Sequence, residues 1–188
     1  MKMFAVFGAA LLAATVAIAD EPSCGLQPGD SVGAFTVEKV AGNPNDDVPI
    51  GKSLCYRCKL GARPVVMVFA RKADDNLAAL VKELDAEVPE HSDKKLASFV
   101  NIIGSDNADD LKSAAEKFGK QHNPQHVAIV VPEDTQNGPK EFGICPTAET
   151  TVVIYRGGKV AASHAFAAGK LDSAAIDKVI ADTDEILN

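Results

Sequence analysis

The chain has no excess of positive charge: 19 Lys and Arg stand against 26 Asp and Glu, a formal net charge of −7. A nucleic acid or an anionic membrane surface as partner would call for a basic stripe, and none is present. There is no internal repeat and no low-complexity segment. The four histidines, His91, His122, His126 and His164, are scattered without metal-ligand spacing and read as surface or strand residues. Cysteine is equally sparse, with Cys24, Cys55, Cys58 and Cys145 making one C-x-x-C and two lone thiols. A second C-x-x-C would have made a strong zinc signature, and it is missing. Lys59 stands where covalent haem attachment needs histidine. Gly157-Gly158 is flanked by strand patterns rather than by a helix, which excludes a phosphate loop. No cofactor is therefore expected.

The longest apolar stretch, residues 3–19, follows a single positive residue, Lys2, and ends in Ala17-Ile18-Ala19 before Asp20. It is shorter than the ~20 residues that a membrane helix needs and lacks a positive flank that would stop transfer. It reads as a secretory signal spanning residues 1–19, leaving residues 20–188 as one domain with no membrane segment. That remainder holds 18 basic and 26 acidic side chains, a formal charge of −8. An exported protein, periplasmic or extracellular, meets an oxidising compartment, so its cysteines are expected to be paired unless a function keeps them reduced.

What is present is a clear alternation of elements. Val65 to Ala70 is an unbroken, largely β-branched apolar run, the pattern of a strand buried on both faces. Residues 31–40 suggest a short strand before it, and Gly42 to Asp47 is a breaker of turn residues. Residues 50–63, which carry Cys55 and Cys58, are expected to be an irregular connection. Leu77, Leu80, Val81, Leu84 and Val88 fall at helical spacing, with Asp74 or Asp75 as cap and Pro89 as stop. Asp74-Asp75 read as this cap rather than as paired catalytic acids. Residues 96–104 form a second strand, 107–122 a second helix and 127–131 a third apolar strand; residues 133–147 read as a loop. Residues 150–166 form a hairpin around Gly157-Gly158, because a tight turn demands positive φ. A helix over residues 172–187 closes the chain.

This order describes a mixed sheet with helices on both faces, an α/β class. Together with the opening Gly29-Asp30-Ser31-Val32-Gly33-Ala34-Phe35-Thr36-Val37, it resembles the thioredoxin-fold proteins of the AhpC/TSA (peroxiredoxin-like) branch, whose opening runs G-D-x-V-P-x-F-x-L. Glu141-Phe142-Gly143-Ile144 is similar to the A-Y-G-V that precedes the hairpin there. More narrowly, Leu54 to Lys59 ahead of Arg63-Pro64-Val65-Val66, with the late Ala165-Phe166, is similar to secreted thioredoxin-like proteins of planctomycete-type bacteria. The resemblance implies an active site at the C-terminal end of the central strand, here Arg71 to Asn76, which holds no sulfur. It also implies a Pro-x3-Thr-x2-Cys peroxidase motif and a cis-proline near Glu149-Thr150, neither of which is found. The usual thioredoxin and peroxiredoxin active-site cysteines are thus expected to be absent, with Cys55 and Cys58 at the opposite end of the central strand, roughly 20 Å away.

Three readings of that pair remain open. As a relocated dithiol, Cys55 and Cys58 would exchange with a protein thiol or disulfide partner, and Arg57 and Lys59 would favour the thiolate. As a static bond, within the pair or to Cys24, they would pin the loop in a non-catalytic binding or scaffold domain. As thiolate ligands, they would hold a metal. Cys145, before the hairpin, is a disulfide candidate with Cys24.

Overall fold

The computed structural model describes residues 24–188; the segment expected as a signal lies outside the described residues. In chain order the elements are β1 (Val37–Gly42), β2 (Ser53–Leu54), α1 (Tyr56–Leu60), β3 (Pro64–Ala70), α2 (Asp75–Glu90), β4 (Ala97–Ile102), α3 (Ala108–His122), β5 (Val127–Pro132), a 3-10 turn (Lys140–Phe142), β6 (Thr150–Arg156), β7 (Lys159–Phe166) and α4 (Ser173–Asp184). The strands form one seven-stranded sheet in the order β2-β1-β5-β4-β3-β6-β7. β3, β4 and β5 run parallel, and β1, β6 and β7 turn the outer pairs antiparallel.

The apolar run places β3 where its pattern demands. Val65 to Ala70 are each at most 1 % exposed, with β4 on one side and β6 on the other. Alternate residues face opposite cores. Val66, Val68 and Ala70 meet Leu77, Leu80 and Leu84 of α2, while Leu111, Ala115 and Phe118 of α3 and Ile176 and Val179 of α4 complete that core. Val65, Met67 and Phe69 face a second core made with Tyr56 and Leu60 of α1, Phe99, Phe142 and Val153. The fold is thus thioredoxin-like: a mixed central sheet covered on both faces, with a hairpin and helix at the C-terminal end. Full burial of a residue such as Phe69 contributes about 1.5–3 kcal/mol.

Helix ends follow their caps. Asp74 accepts from the Leu77 N–H, Asn107 from Asp109 and Asp172 from Ala175, each supplying an acceptor to an N–H that the helix itself leaves unpaired. Pro89 does not stop α2; it lies inside its last turn. A proline there forfeits only the bond back to the residue four earlier, and the helix ends one residue later, at Glu90. The hairpin turn is Gly157-Gly158, with φ of +60° and +73° between the paired Arg156 and Lys159. Gly158 has a second reason to be glycine: a Cβ there would overlap the Arg57 guanidinium.

Candidate functional site

Residues 50–63 are not an irregular connection. They hold β2 and then α1, a five-residue helix whose N-cap is Cys55. A helix this short shows no periodicity, and cysteine is not among the usual capping residues. The cap is nonetheless made: Cys55 is extended (φ −101°, ψ 101°) and its Sγ accepts a hydrogen bond from the Cys58 N–H at 3.0 Å. Cys55 and Cys58 are joined as a disulfide, with Cα atoms 5.2 Å apart. This corrects the expectation that the chain is without active-site cysteines. A candidate active-site pair is present, bonded across one turn at the start of a helix. Cys55 is half-buried and Cys58 is exposed.

Leu54 pairs with Val37, and Val37 with Pro132, so β2 brings the chain level with the C-terminal residue of β5 before α1 begins. The helix then packs on the face of the sheet. The Tyr56 ring stacks on Phe99 at 5.3 Å, and Phe99 pairs with Met67, the middle residue of β3.

A buried polar network holds α1 in place. Lys39, 1 % exposed on β1, donates to Asn43 O (2.7 Å), Val48 O (2.9 Å) and Asp46 Oδ1 (2.6 Å), so all three ammonium protons are used. The other oxygen of Asp46 accepts from the Tyr56 hydroxyl, and Asp46 Oδ1 also accepts from the Val48 N–H. Arg57 Nε donates to Val32 O at 3.1 Å and its guanidinium lies over Gly158. Lys59 is exposed and lines a cavity of about 270 Å³ with Asp46, Tyr56, Arg63, Ser98 and His126.

At the other end of β3, Arg71 gathers the loop before the hairpin. Its guanidinium donates to Ala148 O (3.1 Å), Gln136 O (2.8 Å), Asn137 Oδ1 (3.3 Å) and Cys145 O (3.3 Å), and burial lowers its pKa. Cys145 is bonded to Cys24, which closes this loop against the N-terminal segment. The two lone cysteines therefore form a second disulfide, remote in sequence from the first. Among the described residues no group of three or more His, Cys, Asp or Glu side chains is placed to hold a metal ion. Two of the histidines are engaged elsewhere: the buried His164 meets Asp182 on α4 at 2.7 Å, and His91 meets Glu87 on α2 at 3.2 Å.

The chain has two tyrosines, Tyr56 and Tyr155, and both are buried. Burial, then the hydrogen bond and charge of Asp46, raise the Tyr56 phenol well above its ordinary value. Burial likewise raises Tyr155, against a smaller opposing effect of Arg57. Folded phenols that ionise later than unfolded ones leave stability intact below about pH 10 and erode it above, by about 1.4 kcal/mol per pH unit for each tyrosine. Urea midpoints are expected to stay flat up to about pH 9.5 and then fall, and Tyr56→Phe should halve the slope. Tyrosinate absorbance that titrates near pH 10 in the folded protein would contradict this.

No protein-family model matches the chain, and no curated protein matches it. Solved structures do. A candidate thiol:disulfide interchange protein DsbE from Chlorobium tepidum superposes with a TM-score of 0.65 at 14 % identity, covering 87 % of this chain and 99 % of that one. AhpC from Mycobacterium tuberculosis superposes with a TM-score of 0.61 at 13 % identity, with the same coverages of 87 % and 99 %. The peroxidoxin BcpB from Mycobacterium tuberculosis gives 0.60 at 17 % identity, covering 86 % of this chain and 98 % of that one. At these identities the likeness is one of fold, and the shared fold is thioredoxin-like.

Proposed function

We propose that the protein is an exported thiol-disulfide exchange protein working through Cys55 and Cys58. The observation that carries this reading is a closed C-x-x-C disulfide with one sulfur-bearing residue, Cys58, on the surface of a packed helix. Exchange requires only that a thiolate reach a sulfur of the bond, and a C-x-x-C ring is among the more reducible kinds. The fold is one that solved thiol:disulfide interchange and peroxidoxin structures also use. Export is supported by the residue 1–19 pattern and by the pairing of all four cysteines. The narrower likeness to secreted planctomycete-type proteins agrees with it. The partner is a protein thiol or disulfide.

The competing reading is a non-catalytic domain whose disulfides are structural. It draws on Cys55 acting as the cap of a helix that Tyr56 and Leu60 already anchor in the core. The reduction potential of the 55–58 bond separates the two. Equilibration against dithiothreitol or glutathione redox buffers, with alkylation and mass analysis, is expected to give a value above about −300 mV. A value below that marks a structural bond and ends the exchange reading.

A further inference from the structure

The two sulfurs of the 55–58 bond are not equivalent. We propose that the mixed disulfide with the partner forms on Cys58, the second cysteine, and that Cys55 is the leaving and resolving thiol. This rests on the exchange reading above and assigns its two roles.

Exposure gives the first reason. A thiolate attacks one sulfur along the bond axis and expels the other, so the attacked sulfur must be reachable. Cys58 is exposed and Cys55 is half-buried, where the extended Cys55 backbone passes from β2 into α1. The leaving group gives the second. The Cys58 N–H already donates to Cys55 Sγ at 3.0 Å in the closed bond. When the bond breaks toward Cys55, negative charge arrives on an atom that has a hydrogen-bond donor in position, and a hydrogen bond to the charged form lowers its pKa. The thiol of lower pKa leaves faster. Among the described residues no such donor meets Cys58 Sγ, so expelling Cys58 would place the charge on an unassisted sulfur. Partial burial of Cys55 acts in the opposite sense, but a group still reached by water loses little hydration, and a direct N–H bond outweighs it. The donor is fixed in place because Tyr56 and Leu60, on either side of Cys58, are buried.

In the oxidising direction, a partner thiolate attacks Cys58 Sγ; the partner-to-Cys58 bond forms, the Cys55–Cys58 bond breaks and Cys55 leaves as thiolate. A second partner thiolate then attacks the partner sulfur of the mixed disulfide, expelling the Cys58 thiolate. The partner loses two electrons and the Cys55–Cys58 pair gains them, with protons exchanged through water. The reducing direction is the reverse, with Cys58 attacking the partner disulfide and Cys55 releasing the product by attacking Cys58.

The order is readable on the unaltered chain, because trypsin cleaves after Lys52, Arg57 and Lys59 and so separates Cys55 from Cys58. Oxidised protein is treated with excess glutathione, quenched with acid at early times, alkylated with N-ethylmaleimide and digested. Glutathione is expected on the Cys58-Lys59 peptide and maleimide on the peptide holding Cys55, in at least about tenfold excess over the converse. Glutathione on Cys55, or shared evenly, overturns the assignment while leaving exchange intact. An unreacted 55–58 bond overturns both. As a second reading, Cys55 in C58S is expected to alkylate with an apparent pKa about one unit below that of Cys58 in C55S. Equal or reversed values would overturn the assignment.

Discussion

Asp46→Ala is expected to cost about 3–5 kcal/mol of folding stability, the loss seen when one partner of a buried ion pair is removed. The side chains of Lys39 and Asp46 are 2 % and 10 % exposed, so the ammonium left behind would keep two carbonyl acceptors and no counter-charge. The same substitution strips the Tyr56 hydroxyl and the Val48 N–H of their acceptor. Asp46→Asn, which keeps an acceptor but loses the charge, should fall between wild type and alanine. Tyr56→Phe, which removes one hydrogen bond and leaves the ion pair, should cost about 1 kcal/mol. Urea unfolding followed by fluorescence-independent circular dichroism measures all three. An alanine loss under 1 kcal/mol would show that water or a loop shift satisfies Lys39 and that the network is not what fixes α1. The functional consequence follows from position: Tyr56 adjoins Cys55, so loosening the network should speed reduction of the 55–58 bond by dithiothreitol in step with the lost stability.

That network shows where sequence reasoning ends. The strand at Pro64–Ala70, the helices at Asp75–Glu90 and Ala108–His122, and the Gly157-Gly158 hairpin are each written in a local pattern, an apolar run, a 3.6-residue spacing or a turn residue with positive φ. α1 has no such signature, being too short for periodicity and capped by a sulfur instead of an oxygen. Asp46 reads locally as one more turn residue in a breaker segment. Its role depends on Lys39 and Tyr56, seven and ten positions away, being brought beneath the same helix. One signal was available: Lys39 sits between the inward residues Val37 and Val40 of a strand, and a cation in a core-facing stretch calls for a buried partner. Arg71 is similar. It ends the most apolar strand of the chain, but that it collects four acceptors from residues 136–148 follows only from the loop returning to the end of β3. The cysteines were legible as two candidate groups, and their unequal surroundings were not.

Removing the Cys24–Cys145 bond as the double variant Cys24→Ser, Cys145→Ser is expected to cost about 4–5 kcal/mol, whereas Cys55→Ser with Cys58→Ser should cost about 2 kcal/mol, by the chain-entropy dependence on loop length. The first bond closes residues 121 apart in sequence and the second closes residues 3 apart, so the unfolded chain is constrained far more by the first. Native contacts sharpen the contrast. Cys145 is buried beside Phe142 and Ile144, its carbonyl is held by Arg71, and the loop it closes lies against Gly25. Cys58 is exposed, and α1 keeps Tyr56, Leu60 and the Asp46 network when its bond opens. Urea unfolding of the two double variants compares them directly, and equal losses would refute the distinction. A bond that is cheap to open, sits on the surface and leaves its helix anchored can cycle while the molecule stays folded. The other bond, between Cys24 and the buried Cys145, is the costlier of the two to open and would hold the fold during the exchange proposed for the first.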